Sequence, residues 1–101
     1  MIRRLVVPAE LGADEVRLLL WYKAEGDAIA ADEALLEFET DKAIVLVTAQ
    51  QGGTVRRCFC AAGEWLKTGD VAAWISDDPS EPLPDDRSAV LEGLAAGFEE
   101  T

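Results

Sequence analysis

The sequence predicts an all-β domain: a flattened barrel or sandwich of two small antiparallel sheets, related by an approximate internal two-fold axis. Three observations predict it. The first is an internal repeat, in which Ala24-Glu25-Gly26-Asp27-Ala28-Ile29 returns as Ala61-Ala62-Gly63-Glu64-Trp65-Leu66 at an offset of 37 residues. The second is that the apolar runs between turns are short and rich in branched and aromatic residues, a strand signature. The third is size. Each copy is too small to bury a core by itself, so the two must pack face to face.

Taken in order, the chain enters directly on a strand-like Leu5-Val6-Val7. The segment Val7-Pro8-Ala9-Glu10-Leu11-Gly12 resembles Val47-Thr48-Ala49-Gln50-Gln51-Gly52 at an offset of 40, which leaves the first copy about three extra residues in the loop Ala13–Arg17. Beyond it the offset of 37 aligns Leu18 with Val55, Trp21 with Cys58, Tyr22 with Phe59, Asp32 with Gly69 and Phe38 with Ile75. Each copy then reads as strand, loop, strand, Gly-acid turn, strand. Gly26 and Gly63 supply a turn conformation that residues with side chains resist. Alternation and the repeat place Val7, Leu18, Trp21, Ile29, Leu36, Phe38, Val45, Val47, Val55, Cys58, Cys60, Leu66, Val71 and Ile75 inside. Trp65 and Trp74 align with Ala28 and Glu37 and are expected to be partly exposed.

Between Ala34-Leu35-Leu36-Glu37-Phe38 and Ile44-Val45-Leu46-Val47 lies Glu39-Thr40-Asp41-Lys42-Ala43. Both flanks read as strand, so Asp41-Lys42 falls at a hairpin tip, where an Asp can bond its own backbone and hold the turn. Under the pseudo-symmetry the matching place in the second copy is Asp78-Pro79. The lysine and the chain termini are therefore expected at opposite ends of the molecule.

Composition limits the chemistry. The chain has 9 basic and 20 acidic residues, a net charge of −11, and no histidine. Residues 1–76 hold twelve acids and eight bases, whereas the last 25 residues hold eight acids and one base. Nucleic acid and anionic membranes call for clustered Lys and Arg, so neither is an expected partner. Without histidine the commonest general base, imidazole metal ligands and Ser-His or Cys-His nucleophile pairs are all missing. No metal site and no catalytic residue are expected. No transmembrane run or signal peptide is visible, which predicts a cytoplasmic protein. Cys58 and Cys60 flank Phe59 on one strand face, with Cα atoms about 6.5–7 Å apart, the outer limit for a disulfide. They read as free, buried thiols in a reducing compartment.

The sequence divides at residue 76. Residues 77–101 hold three of the four prolines and read as an acidic linker or tail. Apolar residues at 90, 91, 94 and 98 fit a weak amphipathic helix over 88–98, with Gly93 and Gly97 lowering its propensity.

The run Trp21-Tyr22-Lys23-Ala24-Glu25-Gly26-Asp27, then Leu35 to Ala43, then Gly53-Thr54-Val55 and Gly63-Glu64, resembles a lipoyl domain of the dihydrolipoamide acyltransferase type. These motifs fall in order over about residues 3–76. In that family the lysine of the Asp-Lys-Ala turn is amidated by lipoic acid. The resemblance therefore implies Lys42 as the attachment site, with Asp41 and Ala43 as the flanks a modifying enzyme accepts and Glu39-Thr40 as the approach.

It implies a covalent lipoyl carrier, a swinging arm that moves acyl groups and electrons within a 2-oxo acid dehydrogenase complex, with no catalysis of its own. The implied partners are a lipoate ligase or octanoyltransferase, a thiamin-dependent 2-oxo acid dehydrogenase, an acyltransferase core and dihydrolipoamide dehydrogenase. As an isolated chain it is expected to be a monomer, free-standing or a part of something longer. The loop Ala13–Arg17 is expected near the lysine, where a dehydrogenase would recognise it. Two other readings stand beside this one. A biotin carrier shares the barrel, but its lysine lies between methionines, and the only Met here is Met1. An unmodified barrel used as an adaptor would have no need of the Asp-Lys-Ala trio.

Overall fold

The computed structural model describes residues 1–86, 89 and 91–100. Among these residues ten strands form two five-stranded sheets: β1 (Ile2–Val6), β2 (Glu15–Trp21), β3 (Ala28–Ile29), β4 (Ala34–Glu39), β5 (Ile44–Ala49), β6 (Gly53–Cys58), β7 (Trp65–Lys67), β8 (Val71–Ser76), β9 (Glu92–Gly93) and β10 (Ala96–Glu100). One sheet runs β3-β6-β8-β1-β9, the other β10-β5-β4-β2-β7. Among the described residues the only helical element is one 3-10 turn, Ala9–Leu11.

The repeat extends to individual hydrogen bonds. Leu18 pairs with Phe38 and Trp21 with Leu36 in one sheet; Val55 pairs with Ile75 and Cys58 with Ala73 in the other, 37 residues on. The Gly26 N–H donates to the Val55 carbonyl at 2.7 Å, and the Gly63 N–H donates to the Leu18 carbonyl at 2.7 Å. Asp27 accepts the Ala24 N–H at 2.8 Å, as Glu64 accepts that of Ala61 at 2.5 Å. The acid after each glycine thus closes its own turn through its side chain. Both glycines have positive φ, +94° and +92°.

One detail of the alignment changes. Leu36 faces Val47 while its counterpart Ala73 faces Leu5, so β1 and β5 are related by an offset of 42 rather than 40. Offsets of 42 and 37 differ by five, so the loop between β1 and β2 carries five extra residues rather than three.

Where the two sheets face each other, Leu5, Val7, Val16, Leu18, Leu36, Phe38, Val45, Val47, Val55, Leu66 and Ile75 are buried. Trp21, Cys58 and Cys60, expected inside, are half-buried at the margin of this core, and Val71, also expected inside, is only half-buried. The Trp21 indole N–H donates to the Cys60 carbonyl at 2.9 Å. Trp65 is exposed, as expected. Trp74 is a correction: it is 2 % exposed, because Phe59 packs edge to face against it with ring centroids 5.0 Å apart.

The tail corrects a second expectation. Glu92–Gly93 and Ala96–Glu100 form strands rather than a helix, while Ser88 and Val90 of that expected helix lie outside the described residues. β9 lies parallel on β1, and β10 lies antiparallel on β5 from Ala96↔Ala49 to Glu100↔Val45. The physical reason is the pair of free edges that β1 and β5 present, symmetry mates whose unpaired N–H and C=O groups take a strand more readily than a glycine-bearing segment makes a helix.

The third correction follows from this. The N-terminus does lie opposite the lysine, with its ammonium 2.6 Å from an Asp77 carboxylate oxygen just past β8. The C-terminal strand instead runs back toward the lysine end, since Glu100 pairs beside the start of β5.

Candidate functional site

β4 and β5 run together to their last pair, Glu39↔Ile44, and the four residues between them close the hairpin. The Thr40 N–H donates to the Ala43 carbonyl at 2.9 Å. The Thr40 hydroxyl does the rest: it donates to the same carbonyl at 3.2 Å and accepts the N–H groups of Lys42 at 3.2 Å and Ala43 at 3.1 Å. The expectation that Asp41 would hold the turn by its own side chain is replaced by Thr40, whose hydroxyl lies one residue earlier and reaches both following amides. Its signal was present in the sequence, since Ser and Thr hydroxyls make the same local turn bonds as Asp.

With the backbone tied off by Thr40, Asp41 and Lys42 project at the tip and are exposed; Ala43 is half-buried. Among the described residues no ion pair engages Lys42. The three residues singled out in the sequence, Asp41, Lys42 and Ala43, are therefore consecutive members of one braced turn. Phe38 and Val45, paired directly below it, are fully buried, so the turn stands directly on the core.

Beside the hairpin lies an open groove of about 410 Å³. It is lined by Ala13 and Asp14 of the long β1–β2 loop, by Glu15 at the start of β2, by Glu39 and Asp41, and by Trp65, 63 % exposed. The loop is held in place by Gly12, at φ +71°, and by Thr68, whose hydroxyl donates to the Ala13 carbonyl at 3.0 Å and whose N–H donates to that of Asp14 at 3.1 Å. Ala13, Asp14 and Glu15 thus lie beside the lysine turn, as the family resemblance implied, although Glu15 to Arg17, expected in the loop, belong to β2.

Cys58 and Cys60 are free thiols lining a separate groove with Trp21, Lys23 and Glu25. Burial, with help from nearby carboxylates, pushes the Cys58 thiol up to about 11 and the Cys60 thiol up to about 12. No group of three or more metal-ligating side chains gathers among the described residues. Among them, too, no helix is long and apolar enough to cross a membrane.

A family model described as "Biotin-requiring enzyme", of the biotin/lipoyl type, matches residues 7–75. The dihydrolipoyllysine-residue succinyltransferase component of the 2-oxoglutarate dehydrogenase complex from Rickettsia bellii is 38% identical over 76 residues, which is 73% of this chain and 19% of that protein. Its Bacillus subtilis counterpart is 31% identical over 77 residues, 73% of this chain and 18% of that protein. The lipoamide acyltransferase component of the branched-chain alpha-keto acid dehydrogenase complex from Mus musculus is 28% identical over 89 residues, 88% of this chain and 18% of that protein.

Among solved structures, the lipoyl domain of the 2-oxoglutarate dehydrogenase complex from Azotobacter vinelandii superposes with a TM-score of 0.66 at 21% identity, over 73% of this chain and 95% of that one, which shows the fold. The chain spans about a fifth of the length of the curated relatives it matches. The matched unit is an attachment domain, which carries a group rather than a catalytic centre.

Proposed function

Because the chain belongs to the biotin/lipoyl attachment family, we propose that Lys42 is its attachment lysine and carries lipoic acid in amide linkage. The observation that carries this reading is the turn itself. An attachment lysine has to present its amine to the closed active site of a modifying enzyme without unfolding its host. Lys42 stands exposed at the tip of a hairpin whose backbone Thr40 has already locked, over the buried pair Phe38 and Val45. The residues present fit the group. Lys42 itself is exposed, Ala43 adds no bulk beside it, and no ion pair among the described residues competes for the amine.

Once amidated, Lys42 loses its charge and becomes the root of a long flexible tether. When bound, the lipoyl group supplies a dithiolane able to accept electrons and an acyl unit, chemistry that belongs to the cofactor. The protein's part is position. The braced turn holds the root of the arm still, and tethering raises its effective concentration at each partner active site. Glu39, Asp41, Asp14 and Glu15 leave the rim of the site acidic, suited to enzymes with a basic approach surface. The partners in this reading are the modifying lipoate ligase or octanoyltransferase, a thiamin-dependent 2-oxo acid dehydrogenase, an acyltransferase core and dihydrolipoamide dehydrogenase.

Biotin is the competing cofactor, since the family includes both kinds of carrier. Asp41 and Ala43, where a biotin carrier has methionines, favour lipoic acid. The test is intact mass after co-expression with lipoate ligase and lipoate, or with biotin ligase and biotin, beside a Lys42→Ala control. One lipoyl increment that disappears in the control supports the carrier reading. A biotin increment replaces the cofactor, and no increment in either arm reduces Lys42 to a turn residue of an adaptor.

A further inference from the structure

We propose that β10 is a strap over the β5 flank of the Lys42 hairpin, and that an enzyme modifying Lys42 engages the hairpin fully only when the strap lifts. The proposal rests on the reading of Lys42 as the attachment lysine. It begins with direction: β5 leaves the hairpin at Ile44, and β10 is antiparallel to it, so the tail runs toward the lysine and sets Glu99 and Glu100 opposite Leu46 and Val45. Neighbouring strands lie roughly 4.8 Å apart, so the end of β10 stands where an enzyme gripping the hairpin would place its own wall.

The strap is lightly held. Its apolar contacts come from Leu94, Ala96 and Phe98, all only partly buried against the core. Beneath it an open space of about 440 Å³ remains among Leu5, Val6, Pro8, Gln50, Leu94 and Phe98. Gly97 contributes no side chain to the contact, while β9 stays paired with β1 and the Leu94 N–H bonded to the Arg4 carbonyl at 2.8 Å, so the strap can pivot just after Leu94 with the rest of the tail in place. Few buried apolar contacts and an edge position are what mark a segment for local opening.

The pairing also says what lifting would expose. The Gln50 N–H donates to the Ala95 carbonyl at 3.0 Å, which fixes the phase of the ladder. The hydrogen-bonded pairs are then Thr48 with Gly97 and Leu46 with Glu99, alternating with the non-bonded pairs Ala49 with Ala96 and Val47 with Phe98. Opening uncovers the amides of Leu46 and Thr48, while those of Val45 and Val47 stay bonded to β4.

The test uses full-length chains. Gly97→Val places a side chain where a Cβ would already lie 2.8 Å from the Thr48 hydroxyl, and Phe98→Glu removes the apolar anchor; both should lift the strap. Ala49→Cys with Ala96→Cys joins a non-hydrogen-bonded pair, the geometry a cross-strand disulfide accepts, and should lock it down. Two quantities are measured for each chain: deuterium uptake at residues 44–50, and the rate at which a lipoate ligase transfers octanoate, which has no dithiolane to exchange with the lock.

The expected result is rapid exchange at Leu46 and Thr48 and several-fold faster transfer in the lifted chains, with slow transfer in the locked chain that recovers on reduction. Equal rates in the lifted, unmodified-sequence and locked chains, with exchange confirming that the strap has moved, would overturn the strap while leaving Lys42 as the attachment site. Absence of octanoylation in every chain, the lifted ones included, would overturn the attachment reading and the strap with it. If both lifting variants fail to fold, the locked chain before and after reduction still decides the matter.

Discussion

Phe59 meets Trp74 edge to face across the outer side of its sheet, and 37 residues earlier, in the same relationship, the Tyr22 hydroxyl donates to Glu37. One pair of positions has been filled twice, once with an aromatic couple and once with a polar one. The substitution decides burial: Trp74 is 2 % exposed, whereas Tyr22 is 49 % exposed. The two sheets are therefore equivalent in backbone and unequal in surface, and the copy bearing the aromatic couple has, in effect, a small second core outside the first.

Trp74 should accordingly carry stability that its counterpart Glu37 does not. Trp74→Ala is expected to cost ~3–5 kcal/mol, the range for emptying a buried aromatic site. Trp74→Phe should cost less than ~1.5 kcal/mol, because it also removes an indole N–H that is buried without a hydrogen-bond partner among the described residues. Urea denaturation of the two variants checks this, and equal losses would mean that the Phe59 contact is not what holds the ring.

Gly26→Ala and Gly63→Ala should destabilise alike. Neither added Cβ meets an atom closer than 3.8 Å, so the cost is purely that of placing alanine at positive φ, ~1–2 kcal/mol per site. Gly53→Ala differs in kind. Its φ is ordinary, but a Cβ there would lie 2.8 Å from the Ser76 carbonyl oxygen, and a clash with backbone should cost ~1–3 kcal/mol. Thermal melts of the three variants, together with Gly26→Asn, separate the two causes. Asparagine tolerates positive φ and should recover part of the loss at Gly26.

The sheets and the lysine turn were legible in the sequence because the repeat supplies two independent views of one motif, and turn glycines and acids recur at fixed spacing. What alternation could not show were the bulges. Leu35 and Leu36 are both buried, as are Ala72 and Ala73, since register shifts between Ala34 and Leu36 and opposite Leu5 and Val6 break the two-residue period in each copy. The tail was misread for a different reason. Its apolar residues fit a helical spacing locally, and the edge of β5 that captures them lies about fifty residues back along the chain, a tertiary preference no local pattern contains.

Thr40 offers a direct test of how the turn is braced. Thr40→Val keeps the branched shape and removes the hydroxyl that serves Lys42, Ala43 and the Ala43 carbonyl, and should cost ~1–2 kcal/mol. Ligase transfer to Lys42 should slow markedly, because the lysine is then presented on a turn with free amides. Thr40→Ser retains the bonds and should behave nearly as the natural residue. If Thr40→Val were modified at the usual rate, the brace would serve stability alone.

The two thiols make a prediction about pH. An unfolded cysteine here has an ordinary value of 9.0, and burial raises Cys58 to about 11 and Cys60 to about 12. Below the ordinary value both states keep their protons, so the thiols contribute no pH dependence. As pH rises past it, the unfolded chain releases protons that the folded chain retains, and the equilibrium moves toward unfolding. Stability should fall from about pH 9 upward, and a Cys58→Ala, Cys60→Ala chain should show a shallower fall over the same window. Since the thiolate is the reactive form, iodoacetamide at pH 8 should label the folded chain slowly and the urea-unfolded chain quickly. Rapid labelling of the folded chain would place both thiols in solvent and contradict the packing of Cys60 under the Ala72 carbonyl, 3.9 Å from its sulfur.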